Sequence, residues 1–233
     1  MDTAVTAVRS YLASATVLLA LASVVLSITA TAGPPTAKAQ PQDWRVTVHR
    51  FAEIHLKHPA WGLSHSQRDY DLARTLAAED HVVLDDEVLY AAAYLHDVGH
   101  YVSNMAHHKH SQYVVANSDM PGFTDRERAL IAALCRYHRK SMPSAVHSIY
   151  QGLSTEERRT LNLTIPILRL AVNLDNSQLQ SIEGLECRLR DSQVVLAIRS
   201  KGDIDLEEWG AERASESFQQ IYNRSILVSK ARA

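Results

Sequence analysis

The pair His96-Asp97 stands at the end of an apolar run, VLYAAAYL, in a chain of 233 residues. A carboxylate that leaves so apolar a helix is costly to desolvate without a cation or several hydrogen-bond donors, and no Lys or Arg lies within one turn of it. Neighbouring residues on a helix of 3.6 residues per turn are about 100° apart, so both side chains can reach one ion beyond the helix end. A capping pair explains the dipeptide alone equally well.

The distribution of histidine favours a site in the middle of the chain. The sequence has 12 histidines. They stand at positions 49, 55, 58, 65, 81, 96, 100, 107, 108, 110, 138 and 147, and the last third has none. Imidazole is the commonest side-chain metal ligand and a frequent proton shuttle. The skew therefore indicates metal binding or acid–base chemistry.

Three further ionisable residues fall on apolar helical faces. His65 precedes two leucines by seven and eleven residues, Asp175 follows an alanine and a leucine by four and seven, and His138 follows two leucines by four and eight. A single inward histidine is usually a hydrogen-bonded core residue. Four helices that each direct a His or Asp inward favour a metal ion, because buried charges must be paired or coordinated.

Helices must position these residues, and local signals predict where they begin. One helix runs from about Ser64 to Glu79, and a second begins at Asp85 and is stopped by Gly99. Further helices begin at the capping boxes Thr124–Glu127 and Ser154–Glu157, and at Thr164 with Pro166 in its first turn.

The periodicity then changes. Leu185, Cys187 and Leu189 alternate with charged residues, and an apolar run from 194 to 198 follows a turn. This pattern predicts a β-hairpin on the edge of a helical domain, closed by a last amphipathic helix. The fold class is therefore mainly α, a helical bundle with a small β-hairpin and a C-terminal helix.

Composition excludes several classes of protein. The chain has 24 Lys+Arg against 26 Asp+Glu, a net charge of −2, without the basic excess typical of nucleic-acid binding. Cys135 and Cys187 cannot form a disulfide framework or a zinc finger, and we interpret them as small buried hydrophobic residues. Hydrophobic residues at 46% suffice for one globular domain.

The N-terminus has the pattern of a secretory signal. No charged residue lies between Ser10 and Pro35, and A-x-A sites follow at 30–32 and 37–39. At about 20 residues the stretch is also long enough to span a bilayer once. We expect 1–39 to be a signal peptide or membrane anchor, 40–44 a linker and 45–233 the folded domain. The protein would be exported, to the periplasm or outside the cell, or anchored; a misassigned start codon would leave it cytoplasmic.

Together, His65, His96-Asp97 and Asp175 resemble the H…HD…D signature of the HD-domain metal-dependent phosphohydrolases. One branch is closer still. The strings LHDVGHYV, HHKHSQYVVANSDMPGF, RYHRK, RLAVNLDNS and DLEEW are similar to the C-terminal HD domain of the exopolyphosphatase/guanosine-pentaphosphate phosphohydrolase (Ppx/GppA) family, over about residues 45–225.

The resemblance implies an all-helical fold with one or two divalent ions, of Mn, Fe, Mg, Zn or Co. The implied metal ligands are His65, His96, Asp97, His110, His138 and Asp175. Asp97 would bridge two ions, and Lys109, Arg139, Lys140 and Arg68 would orient a phosphate. His107 or His108 would replace His110 as a ligand or donate a proton to the leaving group.

The family's phosphatase chemistry belongs to N-terminal actin-like domains with glycine-rich phosphate loops. This chain contains neither G-x-G-x-x-G nor a P-loop, so polyphosphatase activity is not carried over. The leading hypothesis is hydrolysis of a small phosphoester, with a nucleotide among the candidate substrates. The alternatives are a non-catalytic regulatory module that binds metal or nucleotide, and an exported metal-binding protein without turnover. The sequence leaves the oligomeric state open, with a dimer among the alternatives, and the only membrane contact expected is through the N-terminal segment.

Overall fold

The computed structural model describes residues 43–56, 63–79, 85–190 and 192–230, all within one unit that spans 38–233. The described residues form eight α-helices, one short 3-10 helix and three strands. The helices are α1 (Asp43–His55), α2 (Leu63–Glu79), α3 (Asp86–Leu95), α4 (His107–Ala116), α5 (Asp125–Tyr137), α6 (Ser148–Gln151), α7 (Thr155–Asn173) and α8 (Asp205–Tyr222). The 3-10 helix is Val98–Tyr101, and the strands are β1 (Ile182–Arg190), β2 (Gln193–Ser200) and β3 (Ser225–Lys230). The mainly helical fold predicted from the sequence is confirmed.

Helix α3 lies at the centre of the core. All of its residues from Val88 to Leu95 are buried, and it packs against α1, α2, α5 and α7. Its start is fixed locally, since the Asp85 carboxylate accepts hydrogen bonds from the backbone N–H groups of Glu87 and Val88. The helix therefore delivers its C-terminal end, with His96 and Asp97, into the interior of the bundle.

Both predicted capping boxes are present. Thr124 and Glu127 cap α5 reciprocally, and Ser154 and Glu157 do the same for α7. These local motifs give α5 and α7 their starting points, and the two helices carry apolar faces into the core.

The prediction of a separate helix at Thr164 is wrong. Helix α7 continues through Pro166 to Asn173. Proline removes one backbone hydrogen bond from a helix interior, but Leu161, Ile165 and Leu168 around it are fully buried. Tertiary packing of this face therefore outweighs the local cost of the proline.

The predicted hairpin of β1 and β2 is confirmed, with Leu185 opposite Ile198 and Cys187 opposite Leu196. Strand β3, which the sequence analysis did not predict, pairs in parallel with β2. Helix α8 provides the crossover that a parallel pair requires. The sheet order is β1-β2-β3, and β1 contacts α2.

The predicted leader lies outside the described residues. Among the helices that the structure does describe, none combines the length and the apolar character needed to cross a bilayer.

Candidate metal centre

The candidate site forms where several helices end. Helix α2 contributes two side chains one turn apart, α3 and α5 contribute the residues just after their last turns, and α4 contributes its first residue. The site residues are His65, Asp69, His96, Asp97, His107, His138 and Asp175, all of them buried. Helix ends thus bring residues separated by more than 100 positions into one cluster.

One half of the cluster surrounds Asp69. Its Oδ2 atom lies 3.3 Å from His65 Nε2 and 3.6 Å from His96 Nε2. His65 Nδ1 donates a 2.6 Å hydrogen bond to Asp175 Oδ2. These three residues, His65, Asp69 and His96, offer one nitrogen or oxygen each within 4.8 Å of one another, which is a spacing that suits a single metal ion.

The other half surrounds Asp97. Its Oδ1 atom lies 3.3 Å from His107 Nε2, 3.7 Å from His138 Nε2 and 3.7 Å from His100 Nε2. Its Oδ2 atom lies 3.5 Å from His96 Nε2. Asp97 therefore has one oxygen directed at each half of the cluster, which is the position that a ligand shared between two ions would take.

Backbone carbonyls fix two of the imidazoles. His96 Nδ1 donates to the carbonyl of Ala93 and His138 Nδ1 donates to that of Cys135, both at 2.8 Å. Each bond places the proton on Nδ1 and leaves the Nε2 lone pair directed at the cluster, as in metal-binding histidines. The Nε2 atoms of His107 and His138 lie 3.3 Å apart.

The charges of the cluster favour unprotonated imidazoles. Burial lowers the pKa of His96, and it lowers the pKa of His138 well below the ordinary value. Burial also lowers the pKa of His107 to about 4, although the charge of Asp97 opposes it. These three imidazoles are neutral at neutral pH, which is the state that ligates a metal.

The carboxylates and His65 respond differently. Burial alone raises the pKa of Asp97, but the imidazoles around it outweigh burial and hold its pKa below the ordinary value. Burial raises the pKa of Asp69 well above the ordinary value. Burial lowers the pKa of His65, but the hydrogen bond to Asp175 and the charge of Asp69 reverse this and raise it to about 9. The carboxylates thus create a strong local preference for positive charge.

Unpartnered polar atoms show that the cluster fits a metal ion. Both carboxylate oxygens of Asp69 and Nε2 of His96 are buried without a hydrogen-bond partner. Such orphaned groups are rare in native interiors, and an ion is one of the accepted explanations. The mixed nitrogen and oxygen donors suit a divalent ion such as Mn, Fe, Zn or Co.

Five of the six predicted ligands come together in this cluster: His65, His96, Asp97, His138 and Asp175. His110 does not join it. Its side chain is half-buried on α4 and, within the described part of the chain, makes no hydrogen bond or ion pair with the cluster. His107, which the sequence analysis kept as an alternative, takes that position against Asp97.

The sequence analysis missed Asp69 and His100. A signal for Asp69 was present, because it lies four residues after His65 and three before Leu72 on the same helical face. For His100, which follows Asp97 by three residues on the 3-10 helix, no signal beyond the histidine itself was available.

The cluster opens into a cavity of about 550 Å³, which we call the metal cavity. His65, Asp97, His107, His138 and Asp175 line it, together with Arg139, Lys140, Arg169, Trp209 and Arg213. Of the predicted catalytic residues, Asp97, Arg139 and Lys140 therefore face it. His108 and Lys109 line a neighbouring cavity instead, and Arg68 lines neither of the two.

Comparison with known proteins agrees with this architecture. The family model described as Ppx/GppA phosphatase, domain III, matches residues 63–208, a range that includes all seven site residues. The guanosine-5'-triphosphate,3'-diphosphate pyrophosphatase of Pseudoalteromonas atlantica (strain T6c / ATCC BAA-1087) is 30% identical over 139 residues, 57% of this chain and 26% of that protein.

The protein of the same description from Pseudoalteromonas translucida (strain TAC 125) is 38% identical over 55 residues, 24% of this chain and 11% of that protein. The matches thus span about a quarter or less of the length of these relatives. Because the family model covers well over half of this chain and the whole of the site, the chain belongs to the Ppx/GppA phosphatase domain III family.

Proposed function

We propose that this protein is a metal-dependent phosphohydrolase with a centre of the HD type, acting on a small phosphorylated compound such as a nucleotide. The observation that carries the proposal is the set of buried atoms of Asp69 and His96 that lack a hydrogen-bond partner, inside a carboxylate and imidazole cluster that opens into a cavity lined by both cationic and acidic side chains. A phosphatase family and relatives named as nucleotide pyrophosphatases support the same class of reaction.

The residues that would hold one or two divalent ions are His65, Asp69, His96, Asp97, His107, His138 and Asp175. When bound at such a site, divalent ions lower the pKa of water and neutralise phosphoryl oxygens. Nitrogen lone pairs of His96 and His138 are already fixed toward the cluster by backbone hydrogen bonds, so binding would require little reorganisation of these two rings.

Cationic side chains at the rim would orient the phosphoryl group. Arg139 and Lys140 line the metal cavity, and the Arg139 guanidinium donates toward His107 Nε2 at 3.3 Å. Guanidinium groups suit phosphate because their planar N–H donors match two oxygens at once. Arg139 is therefore in direct contact with His107, one of the proposed ligands.

A nucleotide suits another part of the cavity lining. Trp209 lines it and is 51% exposed, with the Arg213 guanidinium 4.6 Å from its ring centroid. An exposed indole beside a phosphate site offers a surface on which a nucleobase can stack. This part of the lining therefore favours a nucleotide over a simple alkyl phosphate as substrate.

A non-catalytic regulatory module is the second candidate. The relatives extend far beyond the matched region, which is 26% and 11% of their lengths. In those proteins the region similar to this chain is one part of a larger enzyme. Metal binding without turnover would support this alternative.

The decisive experiment measures metal content and phosphoesterase rate on the same samples. We expect the purified protein to contain divalent metal and to release p-nitrophenol from a phosphomonoester or a phosphodiester. D97A removes the carboxylate shared by both halves of the cluster and is expected to lose both properties. D119A, which removes an exposed carboxylate, is the control. Full metal content and activity in D97A would refute the assignment.

A further inference from the structure

A second cavity lies beside the metal cavity, between the start of α4 and the end of α5. We call it the basic cavity. It has a volume of about 560 Å³, and four cationic side chains line it, Lys109, Arg136, Arg139 and Lys140, together with His108. No carboxylate lines it. Arg139 and Lys140 also line the metal cavity, so the two cavities share one wall.

The positive charge in the basic cavity has no ion-paired carboxylate among the residues that the structure describes. Within the described part of the chain, none of its four cationic side chains forms an ion pair with a carboxylate. Arg139 makes its hydrogen bonds to the ring of His107, and Arg136 lies 5.7 Å from the ring centroid of Tyr137. Gathering like charges around one space is unfavourable unless an anion compensates them.

His108 supplies an independent sign of a ligand. Its side chain is 5% exposed and lines the basic cavity, and its Nδ1 atom is buried without a hydrogen-bond partner. A buried imidazole nitrogen without a hydrogen-bond partner is unusual in a native interior, and a ligand in the basic cavity accounts for it.

The backbone of the cavity wall also favours an anion. Ala106 precedes the ten-residue helix α4 without a side-chain cap and itself lines the cavity, so the positive end of the helix dipole lies at the basic cavity. Ala106 (φ 56°) and Lys140 (φ 67°) both adopt left-handed backbone conformations. Such conformations are costly for residues with a side chain and concentrate at ligand sites.

We propose that the basic cavity binds a phosphoryl group other than the one that is hydrolysed at the metal centre. A tetrahedral phosphate offers several acceptor oxygens, which arginine and lysine side chains bind with charge-assisted hydrogen bonds. The group is either a second phosphoryl group on the substrate or free inorganic phosphate. The shared wall of Arg139 and Lys140 favours the first source, and that part of the proposal rests on the proposed function.

A binding experiment tests the cavity without relying on catalysis. Arg136 lines the basic cavity and not the metal cavity, so R136M removes charge from the basic cavity alone. We expect calorimetric titration with inorganic phosphate to show affinity about tenfold weaker in R136M, because hydrogen bonds to charged groups contribute that much. The control R126M removes an exposed arginine from the same helix and should bind as the unmodified protein does. Equal phosphate binding in R136M and the unmodified protein, or equal loss in R126M, would overturn the proposal.

Kinetics then distinguish the two sources. The probes are p-nitrophenyl phosphate, with one phosphoryl group, and adenosine 3',5'-bisphosphate, with two. If the substrate supplies the second group, R136M raises the ratio of the KM for the bisphosphate to the KM for the monophosphate about tenfold, and R126M leaves it unchanged. If free phosphate is the ligand, R136M leaves the ratio unchanged but weakens inhibition by phosphate. If R136M changes neither the KM ratio nor the inhibition by phosphate, the basic cavity is not a phosphoryl site. If none of the proteins hydrolyses either probe, the proposed function is refuted, and the calorimetric titration remains the test of the basic cavity.

Discussion

Asp69 has no exposed surface, and neither of its oxygens has a hydrogen-bond partner. The His65 imidazole approaches Asp69 to 3.3 Å without a hydrogen bond, and a fully buried carboxylate of this kind favours a metal cation as a further partner. We therefore expect D69N to weaken metal binding by about tenfold or more, since changes to residues that merely support metal ligands already cost 10- to 100-fold. Metal titration followed by elemental analysis measures this effect.

Without metal, D69N should not destabilise the protein. Asparagine keeps the shape of the side chain but cannot become a buried anion, so in chelator-treated protein D69N should unfold at the same temperature as the unmodified protein or at a higher one. A destabilised D69N in metal-free protein, with unchanged metal affinity, would show that Asp69 has a purely structural role.

His107 and His110 provide a direct comparison on one helix. His107 Nε2 lies 3.3 Å from Asp97, whereas the half-buried His110 side chain makes no hydrogen bond or ion pair with the cluster in the described structure. We expect H107A to lower both the metal-to-protein ratio and the rate, and H110A to leave the ratio unchanged. Metal analysis of both variants decides between them, and a loss confined to H110A would restore the assignment drawn from the sequence.

Periodicity predicted much of this chemistry because buried helical faces repeat every three to four residues. His65, His138 and Asp175 were identified by that spacing, and Asp69 shares the face of His65. The choice among His107, His108 and His110 was not accessible from the sequence. These residues stand at the start of α4, and which of them faces Asp97 depends on how α4 packs against the 3-10 helix.

Gly99 sets that packing. A Cβ atom at this position would lie 2.1 Å from the backbone oxygen of His107 and 2.4 Å from the backbone nitrogen of Ser111. The Ser111 hydroxyl connects the same elements, since it accepts from the N–H of Gly99 at 2.8 Å and donates to the carbonyl of His96 at 2.5 Å. The sequence predicted Gly99 as the stop of α3, but α3 ends at Leu95 and Gly99 lies within the 3-10 helix. Its close approach to α4 is a tertiary property.

We expect G99A to destabilise the protein by about 1–3 kcal/mol, as overpacking typically does, and to reduce metal binding because α4 carries His107. Denaturant unfolding and metal analysis measure the two effects. G152A is the matched control, since a Cβ atom there would meet backbone oxygens only at 3.7 and 3.8 Å. Equal stability of the two variants would contradict this view of Gly99.

Helices and strands were predictable from the sequence where a local motif or pattern marks them. The capping boxes at Thr124 and Ser154 mark the starts of α5 and α7, and alternation marks the hairpin. Strand β3 was not predictable, because its parallel partner β2 lies beyond α8 and the pairing is specified only by the folded core. For the same reason Thr164, with Pro166 in the first turn, was taken as a helix start, although packing in the core keeps α7 continuous.

At the scale of the whole molecule, the cluster joins elements that are distant in sequence. The proposed ligands come from α2, α4 and the ends of α3, α5 and α7, so an ion bound among them would connect much of the helical core. Binding to the native state alone stabilises a protein by an amount that depends on ligand concentration relative to the dissociation constant.

We therefore expect a chelator to lower the melting temperature. At a free metal concentration 100 times the dissociation constant, binding contributes about 2.7 kcal/mol, and each kcal/mol corresponds to about 2–4 °C for a domain of 150–250 residues. The expected decrease is thus about 5–10 °C, measurable by thermal unfolding with and without chelator. D97A, which is expected to bind no metal, is the control and should melt at the same temperature in both conditions. If the chelator removes the metal but leaves the melting temperature of the unmodified protein unchanged, the cluster is stable without an ion. The buried carboxylate of Asp69 is then compensated in another way.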